Sequence, residues 1–316
     1  MGEIGIDIAL AVHLLRQNKC VAIPTETVYG LAANALEEDA IAKIFAIKKR
    51  PAFDPLIVHV ADMRQMLDFV TTLPPKAHEL ASAFWPGPLT ILLPKKDIIP
   101  DITTSGLNSV GIRVPSHPMT LQLLRQLSFP LAAPSANPFG YISPTTAQHV
   151  AAQLGEEVDF ILDGGDCAVG LESTIVDFTG HEPIVRRWGG ITAEMLQPIL
   201  GEVKADHISH SHPQAPGMLL SHYAPRIPLM VGARNELLAQ MNVNECATLS
   251  FSQPWPSQHN LILSETGDLQ EAAKNLFRYM RELDGVNNIQ CIYAEWVPER
   301  GIGVAINDKL RRASHR

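Results

Sequence analysis

The sequence predicts an α/β protein, with a mixed twisted sheet domain flanked by helices and a smaller three-layer α/β domain after it. Short apolar runs of strand length alternate with amphipathic helical stretches over residues 1–203. The alternation returns over residues 226–316, after a segment rich in Gly, Pro, Ser and His has interrupted it. A chain of 316 residues is long enough for two domains of ordinary size.

The first domain is predicted to begin with a helix over residues 6–16 and a buried strand over 20–23, which Pro24 stops. Acidic residues 37–39 begin the next helix, and the basic residues 48–50 lie in its last turn, before Pro51. The remaining apolar runs predict strands at 56–60, 89–93, 110–114, 160–162, 174–178 and 184–187, and helices at 118–126 and 145–154.

The segment 204–225 has no sustained apolar periodicity, so we interpret it as a linker between the domains. The second domain then shows a regular succession of apolar strands and amphipathic helices. This succession predicts strands at 227–231, 247–251, 261–263 and 289–296, and helices at 234–241, 269–283 and 303–313.

The composition limits the classes of function. Hydrophobic residues make up 46% and charged residues 18%, as in a folded globular protein. The formal net charge of −8 provides no overall positive field for nucleic acid or membranes, so any phosphate recognition must be local. Four scattered cysteines without a CxxC pair, and no apolar run long enough to span a bilayer, favour a soluble protein of the reducing cytoplasm without a signal peptide or lipid anchor.

Two polar signatures stand out in this apolar sequence: Lys48-Lys49-Arg50-Pro51 and Pro134-Ser135-Ala136-Asn137-Pro138. Lys and Arg supply charge that suits phosphate or carboxylate, and Ser and Asn between prolines supply pre-positioned hydrogen-bonding groups. Such residues could bind a nucleotide without a Walker loop, which the sequence lacks together with GxGxxG, HExxH and GxSxG motifs. The basic residues could equally complement a helix dipole, and Ser135 and Asn137 could simply form a turn.

Other candidate residues also leave two interpretations open. Arg113 lies in an apolar strand, where it is either an anion ligand or a solvent-facing arginine of an edge strand. His59 ends a strand and is either a core histidine or part of a site. Ser143 precedes Pro144, which predicts a helix N-cap that could also face phosphate. The glycine-rich segment 163–174 either approaches a ligand or turns the chain.

Several histidines crowd the linker, but their irregular spacing is more typical of an exposed segment than of a metal site. We therefore expect no dedicated protein metal site. The histidines concerned are His207, His210, His212 and His222.

Taken in order, a series of motifs resembles the YrdC family of threonylcarbamoyl-AMP synthases over about residues 5–200. The motifs are PTETVYGL from residue 24, KxRP from 48, PLIVH from 55, WPGPLT from 85, PSAN from 134, SPT from 143 and ESTIVD from 172. PGM from residue 216, HYAP from 222 and AINDKLRR from 305 are similar to the linker and C-terminal domain of the family's long, two-domain form. The resemblance implies a YrdC-like first domain and a Rossmann-like second domain.

The resemblance further implies that L-threonine, bicarbonate and ATP are condensed to L-threonylcarbamoyladenylate and pyrophosphate. This product is the activated donor for modifying the adenosine beside the anticodon of certain tRNAs, and a tRNA threonylcarbamoyl transferase machinery would receive it. Mg²⁺ is expected to arrive with ATP. Weak direct contact with tRNA is compatible with this scheme.

By resemblance, two groups of residues form the site, with Lys48 and Arg50 also the candidate catalytic pair. Tyr223 would fold over the nucleotide and make the linker a lid. Family members commonly carry Asn where this chain has Asp54, so the role of Asp54 stays open. The residues expected around ATP are Lys48, Arg50, Asp54, Ser109, Ser135, Asn137, Ser143, Arg187 and Tyr223, and those expected around threonine are Thr27, His59, Arg113 and Ser173.

Two alternative functions belong to other classes. A concave surface with Lys48, Lys49, Arg50, Arg186 and Arg187 could bind RNA directly, although the net charge of −8 argues against it. A related enzyme could make carbamoyl-adenylate from carbamoyl phosphate. Proteins of that kind carry additional acylphosphatase and cysteine-rich zinc segments, which this sequence lacks.

Overall fold

The computed structural model describes residues 2–206 and 214–315, and strands and helices alternate along both ranges. The strands of the first range are β1 (Glu3–Gly5), β2 (Val21–Ile23), β3 (Gly30–Asn34), β4 (Ile57–His59), β5 (Leu89–Pro94), β6 (Ser109–Arg113), β7 (Leu131–Ala132), β8 (Phe160–Leu162), β9 (Thr174–Asp177), β10 (Ile184–Arg187) and β11 (Lys204–Ala205). Its helices are α1 (Ile8–Arg16), α2 (Glu38–Lys48), α3 (Met63–Met66), α4 (Pro75–Phe84), α5 (Asp101–Thr104), α6 (Pro118–Arg125), α7 (Ala147–Leu154) and α8 (Ala193–Leu200).

These strands form one 11-stranded sheet in the order β1-β8-β2-β3-β7-β4-β6-β5-β9-β10-β11. The sheet is mixed, because β4 pairs with β6 in parallel while β5 pairs with β6 in antiparallel orientation. Helices cover it, and most of its strand residues are buried. The predicted mixed sheet domain is thereby confirmed. Since β11 pairs with β10, the sheet extends to Ala205, two residues into the segment predicted to be the linker.

The second domain contains strands β12 (Leu229–Gly232), β13 (Cys246–Ser250), β14 (His259–Ile262) and β15 (Cys291–Glu295), and helices α9 (Arg234–Gln240), α10 (Leu269–Asp284) and α11 (Gly303–Ser314). Its strands pair in parallel in the order β12-β15-β13-β14. Helices α9 and α10 each connect two of these strands along the chain, and α11 follows the last strand. The Rossmann-like three-layer prediction is confirmed.

The periodic elements predicted from the sequence all form, but α1 and α7 each begin two residues later than predicted, and the N-cap predicted for α7 is wrong. Ser143 does not cap α7: Thr146 does, by accepting a hydrogen bond from the backbone N–H of His149 at 3.1 Å. The Ser143 hydroxyl instead donates to Glu172. Helix α2 also ends earlier than Pro51, because Lys49 adopts a left-handed conformation with φ of 50°.

The two domains share one apolar core, in which residues of the large sheet pack with α10 and α11. Helix α10 has the clearest apolar stripe, with Ala272, Leu276, Phe277 and Met280 all buried. Within the described ranges, no helix has the length and apolar character needed to cross a membrane.

Replacement of Asp268 by Ala should destabilise the protein by about 0.5–2 kcal/mol, the usual effect of losing an N-cap. The Asp268 carboxylate caps α10 by accepting from the backbone N–H groups of Gln270 and Glu271. Urea unfolding of the purified variants would measure the change. Glu265 is exposed and precedes Asp268 by three residues, so Glu265→Ala is the control. An equal loss of stability in Glu265→Ala would contradict the capping role.

Candidate functional site

A cavity that is partly open to solvent lies where the first domain meets the segment 216–223. The ends of β4, β6, β9 and β10, the loop after α2 and the turn after β7 converge on it. Eight of the residues that the sequence analysis selected line it: Thr27, Arg50, His59, Arg113, Ser135, Ser173, Arg187 and Tyr223.

The Lys48 ammonium lies beneath the cavity rather than in its wall. Its side chain is almost fully buried, and Nζ donates to the carbonyl oxygens of Ser135 and Asn137, at 2.5 Å each. Burial, with a contribution from Arg50, holds the pKa of Lys48 well below its usual value. Lys48 therefore fixes the turn at residues 134–138. These two hydrogen bonds explain the position of the Lys48 side chain better than an interaction with the helix dipole does.

Arg50 lines the cavity and is held from behind by its own loop. Its guanidinium donates from Nε to the carbonyl of Asp54 at 3.0 Å and from Nη2 to that of Pro55 at 2.9 Å. Nη2 also lies 2.9 Å from Asp54 Oδ2, in an ion pair without hydrogen-bond geometry. Burial raises the pKa of Asp54, while Arg50 and Lys48 oppose that rise. Asp54 is fully buried behind Arg50 and is absent from the cavity wall.

Arg113 and His59 lie side by side, because β4 and β6 pair with these two residues in register. Arg113 is buried and donates from Nη2 to Glu26 Oε1 at 2.6 Å and from Nε to the carbonyl of Gly87 at 3.3 Å. Glu26 also accepts from the backbone N–H of Ser116. Among the described residues no acceptor faces Arg113 Nη1. The solvent-facing alternative for Arg113 is thereby wrong, because the strand is central in the sheet and not at its edge.

Arg187 joins the sheet to the segment 216–223. It donates from Nε to the Ser173 carbonyl and from Nη2 to the Ser173 hydroxyl, both at 3.0 Å, and from Nη1 to the carbonyl of Pro216 at 3.2 Å. The Ser173 hydroxyl in turn shares a hydrogen bond of 2.7 Å with Thr90. Arg187 also lies close enough to Arg50 to lower the pKa of Arg50, after the larger effect of burial.

The remaining predicted residues lie outside the cavity wall. Asn137 is buried and donates from Nδ2 to the carbonyls of Pro138 at 2.8 Å and Tyr141 at 2.9 Å. Ser143 is buried and donates to Glu172 Oε1 at 2.5 Å. Ser109 lines a smaller neighbouring cavity, which shares Pro55, Ile57 and Pro216 with the first.

The segment 216–223 covers the cavity and is held by the second domain. Tyr223 is buried, its φ is 64°, and its ring stacks on Phe277 of α10 with centroids 5.3 Å apart. Lys309 Nζ lies 5.4 Å from the centre of the Tyr223 ring. Arg312 donates to the carbonyl of Leu219 at 2.6 Å, and its own carbonyl accepts from the N–H of His222 at 3.2 Å. The described part of the linker is therefore packed over the cavity.

The cavity wall also contains residues that the sequence analysis did not select for the site, among them Glu172, Gly217 and His222. Glu172 lies within the glycine-rich segment 163–174, and its Oε2 has no hydrogen-bond partner among the described residues. The His222 ring contacts Phe139 and Tyr223, and burial holds its pKa well below the usual value. Glu172 is the first residue of the ESTIVD motif and His222 is the first residue of the HYAP motif, so these motifs were the signals that could have identified them.

Residues 207, 210 and 212, three of the four histidines weighed for zinc, lie outside the described residues. Across residues 2–206 and 214–315, no group of three or more His, Cys, Asp or Glu side chains could hold a metal ion. The RNA surface considered above does not form as expected, because Lys48, Arg50 and Arg187 are buried and Arg186 pairs with Asp177 and Asp206.

His59 should make the protein less stable in mild acid. Burial, and then Arg113, lower its pKa to about 3, from 6.5 in the unfolded chain. The stability that neutral His59 contributes is therefore present above pH about 6.5 and is lost as the pH falls from there toward 3. Between pH 7.5 and 5.5 this ring should lower the free energy of unfolding by about 1.4 kcal/mol.

Denaturant unfolding of the wild type and His59→Gln at both pH values would measure this effect, with each variant compared with itself. We expect a smaller decrease between the two pH values in His59→Gln than in the wild type. His259→Gln, at an exposed ring, is the control and should retain the wild-type decrease. Identical pH dependence in all three proteins would contradict the assignment.

Comparison with known proteins agrees with this architecture. The chain matches the family model described as "Telomere recombination" over residues 13–189, and the model described as "Threonylcarbamoyl-AMP synthase, C-terminal domain" over residues 191–315. It is 39% identical to the threonylcarbamoyl-AMP synthase of Pyrococcus abyssi, covering 97% of this chain and 94% of the relative. It is also 39% identical to the Bacillus subtilis protein of that name, covering 97% and 92%.

The fold agrees over almost the whole chain with the crystal structure of Pyrococcus abyssi Sua5 complexed with L-threonine. The TM-score is 0.92 at 37% identity, and the match covers 99% of this chain and 97% of the other. Both family models are matched in order, and together they span both domains. The chain therefore belongs to the family of two-domain threonylcarbamoyl-AMP synthases.

Proposed function

We propose that this chain condenses L-threonine, bicarbonate and ATP to L-threonylcarbamoyladenylate and pyrophosphate in the cavity described above. One observation carries the proposal: two separately organised cationic groups face the same cavity. Arg50 and Arg187 form one group, and Arg113, which is held by Glu26 beside the neutral His59, provides the cation of the other. Two such groups suit a reaction that brings a polyphosphate and an amino-acid carboxylate together.

The chemistry requires positioning and charge stabilisation rather than a side-chain nucleophile. The threonine amine adds to the carbon of CO₂ with loss of a proton, or to that of bicarbonate with loss of water, and either route gives a carbamate. A carbamate oxygen then attacks the α-phosphorus of ATP while the bond to the pyrophosphate oxygen breaks. Arginine donors fixed around the cavity would stabilise the negative charge that spreads over the phosphate oxygens.

On the threonine side, Arg113 would pair with the substrate carboxylate. Glu26 holds the guanidinium through Nη2, so Nη1 keeps its donor for the ligand. Neutral His59 and the hydroxyls of Thr27 and Ser173 would complete this side. Thr27 already shares a hydrogen bond of 2.7 Å with Thr25, which orients its hydroxyl.

On the nucleotide side, Arg50, Arg187 and Ser135 would face ATP directly. Lys48, Asn137 and Ser143 lie just behind the wall, so we propose that they hold the turn at 134–138 and Glu172 in place. Asp54 would act through Arg50, and Ser109 would lie at the periphery. The residues expected from the family resemblance would thus divide into those that contact ATP and those that hold the contacting residues in place.

Mg²⁺ would enter as part of the ATP substrate. The residues fit this arrangement, because the Glu172 carboxylate at the cavity has one oxygen without a hydrogen-bond partner among the described residues. When bound, the ion would neutralise charge on the pyrophosphate leaving group. Tyr223 and His222 would exclude water from the labile product, which a tRNA threonylcarbamoyl transferase machinery in the cytoplasm would receive.

Pyrophosphate release from ATP by the purified chain tests the proposal. We expect release only when threonine and bicarbonate are both present, and none when either is omitted. Release with carbamoyl phosphate in their place would indicate the related carbamoyl-transfer activity. Binding of tRNA with a steep salt dependence, in a folded protein without any turnover, would instead support the RNA-binding alternative.

Replacement of Lys48 by Gln should lower kcat/KM at least about tenfold, because each lost hydrogen bond from a charged donor costs about 1.5–3 kcal/mol. Steady-state pyrophosphate release would measure it. Lys49→Gln is a matched control, since Lys49 is the adjacent lysine and is exposed. Equal activity of the two variants would remove Lys48 from the functional site.

A further inference from the structure

The loop of residues 138–144, which follows the turn at 134–138, connects the nucleotide side of the cavity to the second domain. Toward the cavity, the carbonyl of Tyr141 accepts from Asn137 Nδ2 at 2.9 Å, and the Ser143 hydroxyl donates to Glu172. The N–H of Phe139 also donates to the carbonyl of Lys48 at 2.8 Å. The conformation of this loop therefore sets the positions of Asn137 and Glu172.

On its other side, the 138–144 loop is held by the last turn of α10. Arg281 donates from Nε to the carbonyl of Ser143 at 3.2 Å and from Nη2 to that of Ile142. Its guanidinium also lies 5.1 Å from the centre of the Tyr141 ring. One side chain of the second domain thus contacts three successive residues of the loop.

Asp284, one turn further along α10, makes the second attachment. The Tyr141 hydroxyl donates to its Oδ2. The Asp284 side chain is fully buried, and Arg226 Nε at 3.0 Å and the N–H of Ile227 at 2.9 Å hold it. Because Asp284 is fixed by these neighbours, the Tyr141 hydroxyl meets a rigid acceptor.

Arg281 has an unusual set of partners for a half-buried arginine. Its acceptors are two loop carbonyls and Gln153 Oε1 at 2.9 Å, and no carboxylate of the described residues forms an ion pair with it. Burial lowers its pKa to about 10. An arginine that served only to join the domains would gain more from a carboxylate partner, whereas main-chain carbonyls are the groups that define a loop conformation.

We propose that Arg281 and Asp284 are positioning residues, by which the second domain holds the 138–144 loop in the conformation that the ATP side of the site requires. The inference rests on the proposed function, because it assigns ATP to the side of the cavity that this loop supports. It gives the second domain a defined part in nucleotide binding. On the threonine side, Arg113 and His59 lie on β6 and β4, and Arg113 donates to Glu26 and Gly87 rather than to the loop.

Dissociation constants for ATP and for L-threonine, measured separately by calorimetry on the full chain, test the proposal. In Arg281→Gln we expect ATP to bind about five- to tenfold more weakly, because two carbonyls of the loop lose their charged donor. Threonine affinity should stay within about twofold of the wild type. Arg281→Lys should restore part of the ATP affinity, and Tyr141→Phe, which removes only the hydroxyl, should weaken ATP binding less.

Arg234→Gln is the matched control for lost packing and hydrogen bonds. Arg234 also donates to two main-chain carbonyls, of Gln253 and Pro254, and lies 5.6 Å from the centre of the Trp255 ring, but all of these contacts are within the second domain. The Arg234→Gln variant should bind ATP and L-threonine with the affinities of the wild type. Unfolding midpoints of all variants would show that each remains folded.

A double-mutant cycle with Ser143→Ala adds a readout that a purely structural role would not change. If Arg281 acts through the loop, its effect on ATP affinity should shrink in the Ser143→Ala background. Unchanged ATP affinity in Arg281→Gln, or equal weakening of ATP and threonine, would overturn the proposal. A folded wild type that does not bind ATP would refute the proposed function itself, so the two failures are distinguishable.

Discussion

The attachment of the Lys48 ammonium to the carbonyls of Ser135 and Asn137 is the interaction on which the side of the cavity proposed for ATP depends. A buried charge without polar partners would cost several kcal/mol, so the turn at 134–138 must present its carbonyls to Nζ. That requirement joins the end of α2 to the turn after β7. It leaves Arg50, two residues later, at the cavity, where Asp54 and Pro55 hold it from behind.

The second domain contributes buried polar contacts on two sides of the same cavity. Arg312 and Lys309 of α11 hold the segment that carries Tyr223, while Arg281 and Asp284 of α10 hold the 138–144 loop. Both helices pack into the apolar core shared with the first domain. Through this shared core and these polar contacts, the second domain can organise a cavity whose wall is formed mostly by residues of the first domain.

The sequence predicted the elements that have a strong local pattern. The amphipathic stripe of α10 and the apolar strands of the second domain are examples, since burial on one face leaves a readable periodicity. It missed β3, whose sequence Gly-Leu-Ala-Ala-Asn is buried throughout and has no alternation. It missed α8, which contains Pro198. The motifs identified the residues around the cavity, but the ion pair of Glu26 with Arg113 depends on contacts 87 residues apart in the chain and has no local signal.

Asp54 illustrates how the fold changes the meaning of a residue. A carboxylate in an ATP site suggests either repulsion of phosphate or a ligand for a cation or ribose. Its fully buried position behind Arg50 indicates a third role, because Asp54 can balance the arginine charge before ATP arrives. Asn at this position would leave Arg50 without its ion-pair partner. The two residues thus differ in the charge that they place beside Arg50, and in the proposed reaction Asp54 would orient Arg50 and balance part of its charge.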